Sequence, residues 1–256
     1  MFINQTGMAS LACSINQIFL PATLKKLFEI FYKATKSNPM NIEKLKHQLP
    51  KNPNIMGKEE FINTAVLVPL VYKTGQYHFL FEERAKCIRQ GGEICFPGGF
   101  YQDQVDKSFE QTAIRETIEE LGVDLSQIEM IGAMDTLLAP MGLTVDPYVG
   151  VLHVDDITQL KNEKREVARI FLLPISYFQN NPPEIYQVKL KAHPFEKQAN
   201  GQIKILLPVE KLGLPKRYHR AWGGVPLNVY VYQTPEALIW GLTAKIIYHF
   251  IKIINK

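Results

Sequence analysis

Phe96-Pro97-Gly98-Gly99, fifteen further residues, and then Arg115-Glu116-Thr117-Ile118-Glu119-Glu120-Leu121-Gly122-Val123 carry more structural information than any other part of the chain. A helical pattern over 108–121 places Glu116, Glu119 and Glu120 at i, i+3 and i+4, so three carboxylates crowd one face. Ile114, Ile118 and Leu121 fall on the opposite face and are expected to be buried. Adjacent carboxylates repel one another and weaken a helix unless a cation sits among them. Hard divalent ions such as Mg²⁺ take oxygen ligands and complete their shell with substrate phosphates. Gly122 is placed to stop the helix as a C-cap, and the Gly98-Gly99 pair lets the backbone turn tightly and approach a ligand. Taken alone, the helix also fits a solvated acidic surface with Arg115 paired to Glu119.

On the N-terminal side, residues 65–72 (AVLVPLVY) and 77–84 (YHFLFEER) are β-rich runs split by Thr74-Gly75-Gln76, a hairpin signal. On the C-terminal side, strand-like runs return at 131–137, 148–154 and 167–175, and Pro174 leads into a short helix. Irregular β structure is expected over 184–233. Thr234-Pro235-Glu236 then has the pattern of a helix start, with Leu238, Leu242, Ile246, Phe250 and Ile253 as its apolar stripe. Strands mixed with helices around one core give an α/β sandwich. His78 and His249 are expected in apolar surroundings, and Trp240-Gly241 are expected to pack the last helix on the sheet.

Residues 24–36 (LKKLFEIFYKATK) place Leu24, Leu27, Phe28, Phe31 and Tyr32 at helical spacing between lysines, a short basic amphipathic helix. It suits packing on the domain, with contact to a membrane surface as the alternative. Met40 offers a second initiation point, which would make 1–39 an N-terminal extension and 40–256 the folded domain.

Composition supplies exclusions. With 256 residues, 46% hydrophobic and 21% charged, the chain is neither disordered nor fibrous. Twenty-nine basic against 25 acidic residues leave a net +4, too slight to argue for nucleic acid. Three cysteines without a close pair argue against a disulfide framework or zinc ribbon and for a reducing compartment. No apolar run is long enough for a membrane span, and no basic segment precedes the uncharged start, so a cytoplasmic location is expected.

The complete string resembles the signature of the Nudix hydrolases, whose second half runs Arg-Glu-apolar-x-Glu-Glu-x-Gly-apolar. Thr117 takes the first apolar place, and the interval from Gly99 to Arg115 is longer than usual. The acidic residue expected before the arginine falls on Lys107, with Asp106 beside it. This longer loop is similar to the coenzyme A pyrophosphatase branch, which also carries a basic lead-in matched here by Arg84, Arg89, Gly92 and Phe96-Pro97-Gly98-Gly99. Residues 65–71 and 239–247 (IWGLTAKII) share the likeness.

The resemblance implies an α/β fold, a Nudix-type α/β/α sandwich with a mixed sheet. It implies metal-dependent hydrolysis of the diphosphate of coenzyme A or acyl-coenzyme A to 3′,5′-ADP and (acyl-)phosphopantetheine, with Mg²⁺ or Mn²⁺. Glu116 and Glu120 would hold the metal, with Glu119 third. Glu119, Glu166 and Arg115 would be catalytic, Glu166 as general base and Arg115 by holding a carboxylate in place. Arg84, Arg89, Gly98 and Gly99 would meet the substrate, the arginines from a sheet edge. Hydrolysis of ADP-ribose, a dinucleotide or an RNA cap, or a non-catalytic nucleotide sensor, are the alternatives. The partner expected is a small nucleotide, without nucleic acid or membrane span, and a homodimer is left open.

Overall fold

Residues 41–256 are described by the computed structural model, and the chain divides into two units, Met1–Met56 and Gly57–Lys256. In the first, the described residues form α1 (Ile42–Gln48), capped by Asn41, whose side chain accepts from the Lys44 amide at 3.2 Å. The expected helix over 24–36 and the extension 1–39 lie outside the described residues.

The second unit is organised by the expected hairpin. β1 (Ile62–Lys73) and β2 (Gln76–Arg84) pair antiparallel across Thr74-Gly75, both at positive φ. There follow β3 (Ile94–Cys95), β4 (Gly98–Phe100), α2 (Phe109–Leu121), β5 (Ile128–Ala133), β6 (Leu137–Ala139), β7 (Leu143–Leu152), β8 (Val167–Pro174) and α3 (Ile175–Asn180). These eight strands form one sheet with the path β3-β2-β1-β7-β5, to which β4, β6 and β8 add by pairing with β1, β7 and β2. β1 and β7 run parallel from Ile62↔Leu143 to Leu70↔Val151, and the other pairings are antiparallel, so the sheet is mixed. Beyond it come β9 (Glu184–Ala192), β10 (Phe195–Lys197), β11 (Ile203–Ile205), β12 (Trp222–Gln233), β13 (Leu238–Trp240) and α4 (Gly241–Ile254). β13, β12 and β9 form a separate three-stranded sheet.

Because side chains alternate along a strand, β1 and β2 feed two cores. Val68, Phe79 and Phe81 pack with Phe178 of α3 and with Ile246, Ile247 and Phe250 of α4. Ala65, Leu67 and Leu80 pack on the other face with Ala113 and Leu121 of α2. A helix layer on each face of a mixed sheet is the α/β/α sandwich that the resemblance implies. Among the described residues, no helix is long and apolar enough to cross a membrane.

Several local expectations need correction. Thr234-Pro235-Glu236 does not open the last helix. Thr234 Oγ1 accepts from the Ala237 amide at 3.1 Å and donates to its carbonyl at 2.7 Å, closing a turn that returns the chain as β13. Leu238–Trp240 complete a ladder on Val231–Gln233 before α4 starts at Gly241. The buried stripe of α4 is therefore Ala244, Ile246, Ile247, Phe250 and Ile251, while Leu238, Trp240 and Ile253 are exposed and Ile239 packs instead. His249 is exposed on α4, whereas His78 is buried beside the Gln76 carbonyl at 3.2 Å. On α2, Ile114 is half-buried, and Ala113, Thr117 and Leu121 carry the buried face. Thr117 fills an apolar place without an orphaned hydroxyl, because Oγ1 donates to the Ala113 carbonyl at 2.6 Å.

Candidate active site

α2 is held at both ends. Ser108 Oγ accepts from the Gln111 amide at 3.2 Å, and Gly122 closes the helix at φ 66°. A Cβ on Gly122 would stand 2.6 Å from the Lys161 carbonyl oxygen, so conformation and space both demand glycine there. This fixes the last turn, on which Glu120 faces the sheet and is only 5% exposed.

β4 approaches Glu120 by pairing with β1, Val66↔Gly98 and Ala65↔Gly99. The Gly98 amide donates to Glu120 Oε2 at 2.8 Å. A Cβ on Gly99 would fall 2.4 Å from the Glu116 carboxylate, and one on Gly98 would fall 2.4 Å from the Ala65 carbonyl oxygen. The glycine pair, expected to meet substrate, thus touches the two glutamates and makes room for them.

Arg115 organises the outer side. Its Nε and Nη2 donate to Asp106 Oδ1 and Oδ2 at 2.9 and 3.0 Å, and its Nη1 donates to Glu116 Oε1 at 2.8 Å and Glu119 Oε2 at 3.3 Å. Asp106 is buried and also accepts from the Gln102 amide and the Thr112 hydroxyl. Arg115, above all, holds the Asp106 carboxyl down to about 2. The longer loop therefore supplies its acidic group through Asp106, and Lys107 is left exposed.

Glu82 joins this site without any place in the motif. Alternation puts Leu80, Glu82 and Arg84 on the α2 face of β2, with Glu82 one step along the strand from the Leu80 core. Glu82 is 1% exposed, and its Oε1 has no hydrogen-bond partner. Burial first, and then the Glu120 charge, push its carboxyl well above the usual range, with Arg84 opposing. Burial also pushes Glu120 up to about 8, against the Gly98 amide, and raises Glu116 against its bond to Arg115. Sequence offered one weak signal, a charge inside the apolar run YHFLFEER, but without strand order Glu82-Glu83 looks like a solvated strand end.

Glu166 lies exposed in the turn before β8, where its carbonyl accepts from the Ala85 amide at 2.7 Å. Its charge reaches Glu82, Glu116 and Glu120. Glu119 is exposed, on the Arg115 side. Arg84 ends β2 between Val167 of β8 on one side and, on the other, the segment leading into β3, where its backbone bonds Glu93 and Gly92, and so does not lie on a sheet edge. Its Nε donates to the carbonyl of Arg89 at 3.2 Å, which puts Arg89 in the exposed loop beyond and joins the two through backbone. The structure thus gathers Glu82, Glu116, Glu120, Glu166 and Arg84, with Arg115 and Asp106 as the outer brace.

Among the described residues, no group of three or more His, Cys, Asp or Glu side chains is placed to hold a metal ion together. Glu116 and Glu120 each give one oxygen to the bonds above, which leaves the other for a further ligand. Mg²⁺ is usually held by one or two carboxylates, with water and substrate phosphates completing six positions. An open pair of oxygen donors beside an orphaned buried carboxylate oxygen fits that habit.

The NUDIX domain family matches residues 62–199. The peroxisomal coenzyme A diphosphatase NUDT7 of Mus musculus is 36% identical over 126 residues, which are 49% of this chain and 51% of that protein. The uncharacterized Nudix hydrolase NudL of Photorhabdus laumondii is 29% identical over 207 residues, 81% of this chain and 92% of that one. The match thus spans about half the length of the mouse relative and most of the bacterial one. Among solved structures, the Nudix hydrolase RenU of M. smegmatis is 18% identical with a TM-score of 0.39, over 46% of this chain and 74% of its own. The family match takes in more than half of the chain and all of the Gly98-to-Val123 string, and by it the chain belongs to the Nudix hydrolase family.

Proposed function

We propose that the protein hydrolyses the diphosphate of coenzyme A or an acyl-coenzyme A to 3′,5′-ADP and (acyl-)phosphopantetheine. Mg²⁺ or Mn²⁺ would be held by Glu116 and Glu120, with Glu119 beside them. The observation that carries this reading is the seating of Glu116 and Glu120 against Gly98-Gly99, braced by the Arg115–Asp106 pair. Likeness to the mouse coenzyme A diphosphatase supports the substrate. A divalent ion bound there supplies neutralisation of phosphoryl charge and a lowered pKa for the attacking water. Arg115 keeps Glu116 in one orientation, and the Gly98 amide does the same for Glu120. Glu166 takes the proton of the attacking water, supported by its charge acting on Glu82, Glu116 and Glu120 from the turn before β8. Arg84 and Arg89 pair with substrate phosphates, for which guanidinium geometry is suited.

The test is a panel of coenzyme A, acyl-coenzyme A, ADP-ribose, a dinucleoside polyphosphate and capped RNA, each with Mg²⁺ and with Mn²⁺, resolving products by mass. Faster release of 3′,5′-ADP from coenzyme A than of AMP from ADP-ribose is expected. The reverse order would reassign the substrate. No cleavage of any diphosphate would overturn the hydrolase reading.

A further inference from the structure

Burying a carboxylate is costly, and burying one of its oxygens without a partner more so, because nothing replaces the lost hydration. Glu82 carries that cost in the middle of a well-packed sheet. It is 1% exposed, Oε1 has no partner, and its neighbours along β2, Phe81 and Leu80, are fully buried apolar side chains. Solvation does not explain the residue, and neither does an ion pair, since among the described residues no salt bridge reaches it. Its surroundings supply the explanation. Glu82 shares the α2 face of β2 with Arg84, and of the neighbouring charges Glu120 on the facing helix acts on it most strongly. Two acids drawn from different elements into one buried place lack only a positive partner between them.

We propose that Glu82 is a further ligand of the divalent-cation site, with Oε1 taking a cation jointly with Glu120. This would make the site of this chain richer by one carboxylate than the Arg-Glu-x-x-Glu-Glu string supplies, and would anchor the cation to the sheet as well as to α2. A cation between Glu82 and Glu120 replaces repulsion by attraction, and the orphaned oxygen gains its missing partner. Arg84, the next residue on the same face, offsets the remaining negative charge without competing for the metal.

The inference rests on the cation site proposed above, and the test separates the two. Mn²⁺ is titrated into the full chain at pH 7.5, following loss of the free-ion electron paramagnetic resonance signal, for wild type, Glu82→Gln, Glu82→Met and Glu120→Gln. Glu82→Gln and Glu82→Met are expected to weaken Mn²⁺ by about tenfold or more, with a melting temperature of the metal-free protein at or above that of wild type. Glu82→Met, of similar length and apolar, preserves the packed core if the amide does not. Unchanged Mn²⁺ affinity in both Glu82 variants alongside a loss in Glu120→Gln would overturn the role of Glu82 and leave the Glu120 site standing. Unchanged affinity in all three would overturn both readings. A metal-free melting temperature below that of wild type in both Glu82 variants would make Glu82 a structural residue and overturn its role as ligand.

Discussion

Asp106 shows how a displaced residue can retain a role. The spacing left a lysine where an acid was expected, yet the chain turns so that Asp106 meets Arg115 in a two-pronged pair at 2.9 and 3.0 Å. Its carboxyl falls from the ordinary 3.8 to about 2, so the folded state prefers the charged form. The stabilisation is present above 3.8, and is lost as pH falls through about 2. Asp106→Asn should cost on the order of 2 kcal/mol at neutral pH. Chemical denaturation across a pH series should show the gap to wild type closing as pH approaches 2. A gap independent of pH would mean that packing, and not charge, is what Asp106 supplies. Gly99 makes the complementary point about space. Gly99→Ala puts a methyl 2.4 Å from the Glu116 carboxylate and must displace it. A displacement of this size should lower kcat/KM by about a hundredfold, while circular dichroism stays that of wild type. At this level the motif made Glu116, Glu120 and Arg115 legible as a group. Glu82 was hidden, because its significance depends on β8 covering the far edge of β2, a pairing between residues distant in sequence.

Among the elements, the extent of α2 was legible, since its stop and its carboxylate spacing are local signals, while its buried face was not, because Ala113 and Thr117 rather than Ile114 meet the sheet. Its terminating glycine carries two constraints at once, φ 66° and a 2.6 Å approach to the Lys161 carbonyl by any Cβ. Gly122→Ala should therefore cost about 1–2 kcal/mol from the left-handed conformation, and more from the contact. Urea unfolding measures this, and a loss below about 0.5 kcal/mol would show that the Lys161 segment yields freely. The start of α4 was misplaced for an equally physical reason. Thr-Pro-Glu satisfies the local rules for a helix start, but Thr234 spends its hydroxyl on Ala237, and the chain first pairs with β12. A turn and a cap use the same side-chain chemistry, so only the long-range ladder separates them. The hairpin of β1 and β2, by contrast, combines a local turn with two strands of strong β character, and every signal there agreed.

For the second unit as a whole, the family match ends at residue 199, yet the fold it describes is not closed there. One face of the central sheet is covered by α4, which spans Gly241–Ile254. Phe250 packs edge-on against Phe79 with ring centroids 5.1 Å apart, in a cluster that also holds Phe81, Phe96 and Phe178. Phe79 and Phe81 alternate along β2 with Leu80 and Glu82, so the strand that presents Glu82 to α2 is pressed from behind by α4. Truncating Phe250 to alanine should cost about 4 kcal/mol through lost burial and an incompletely filled cavity, a large share of the 5–15 kcal/mol typical of a domain. The expected result is a lower urea midpoint with one cooperative transition, because both cores share β1 and β2. An unchanged midpoint in Phe250→Ala would show that this face of the sheet is held closed without α4. Two separate transitions would show that the cores on the two faces unfold independently, and that the strand carrying Glu82 is stabilised from the α2 side alone.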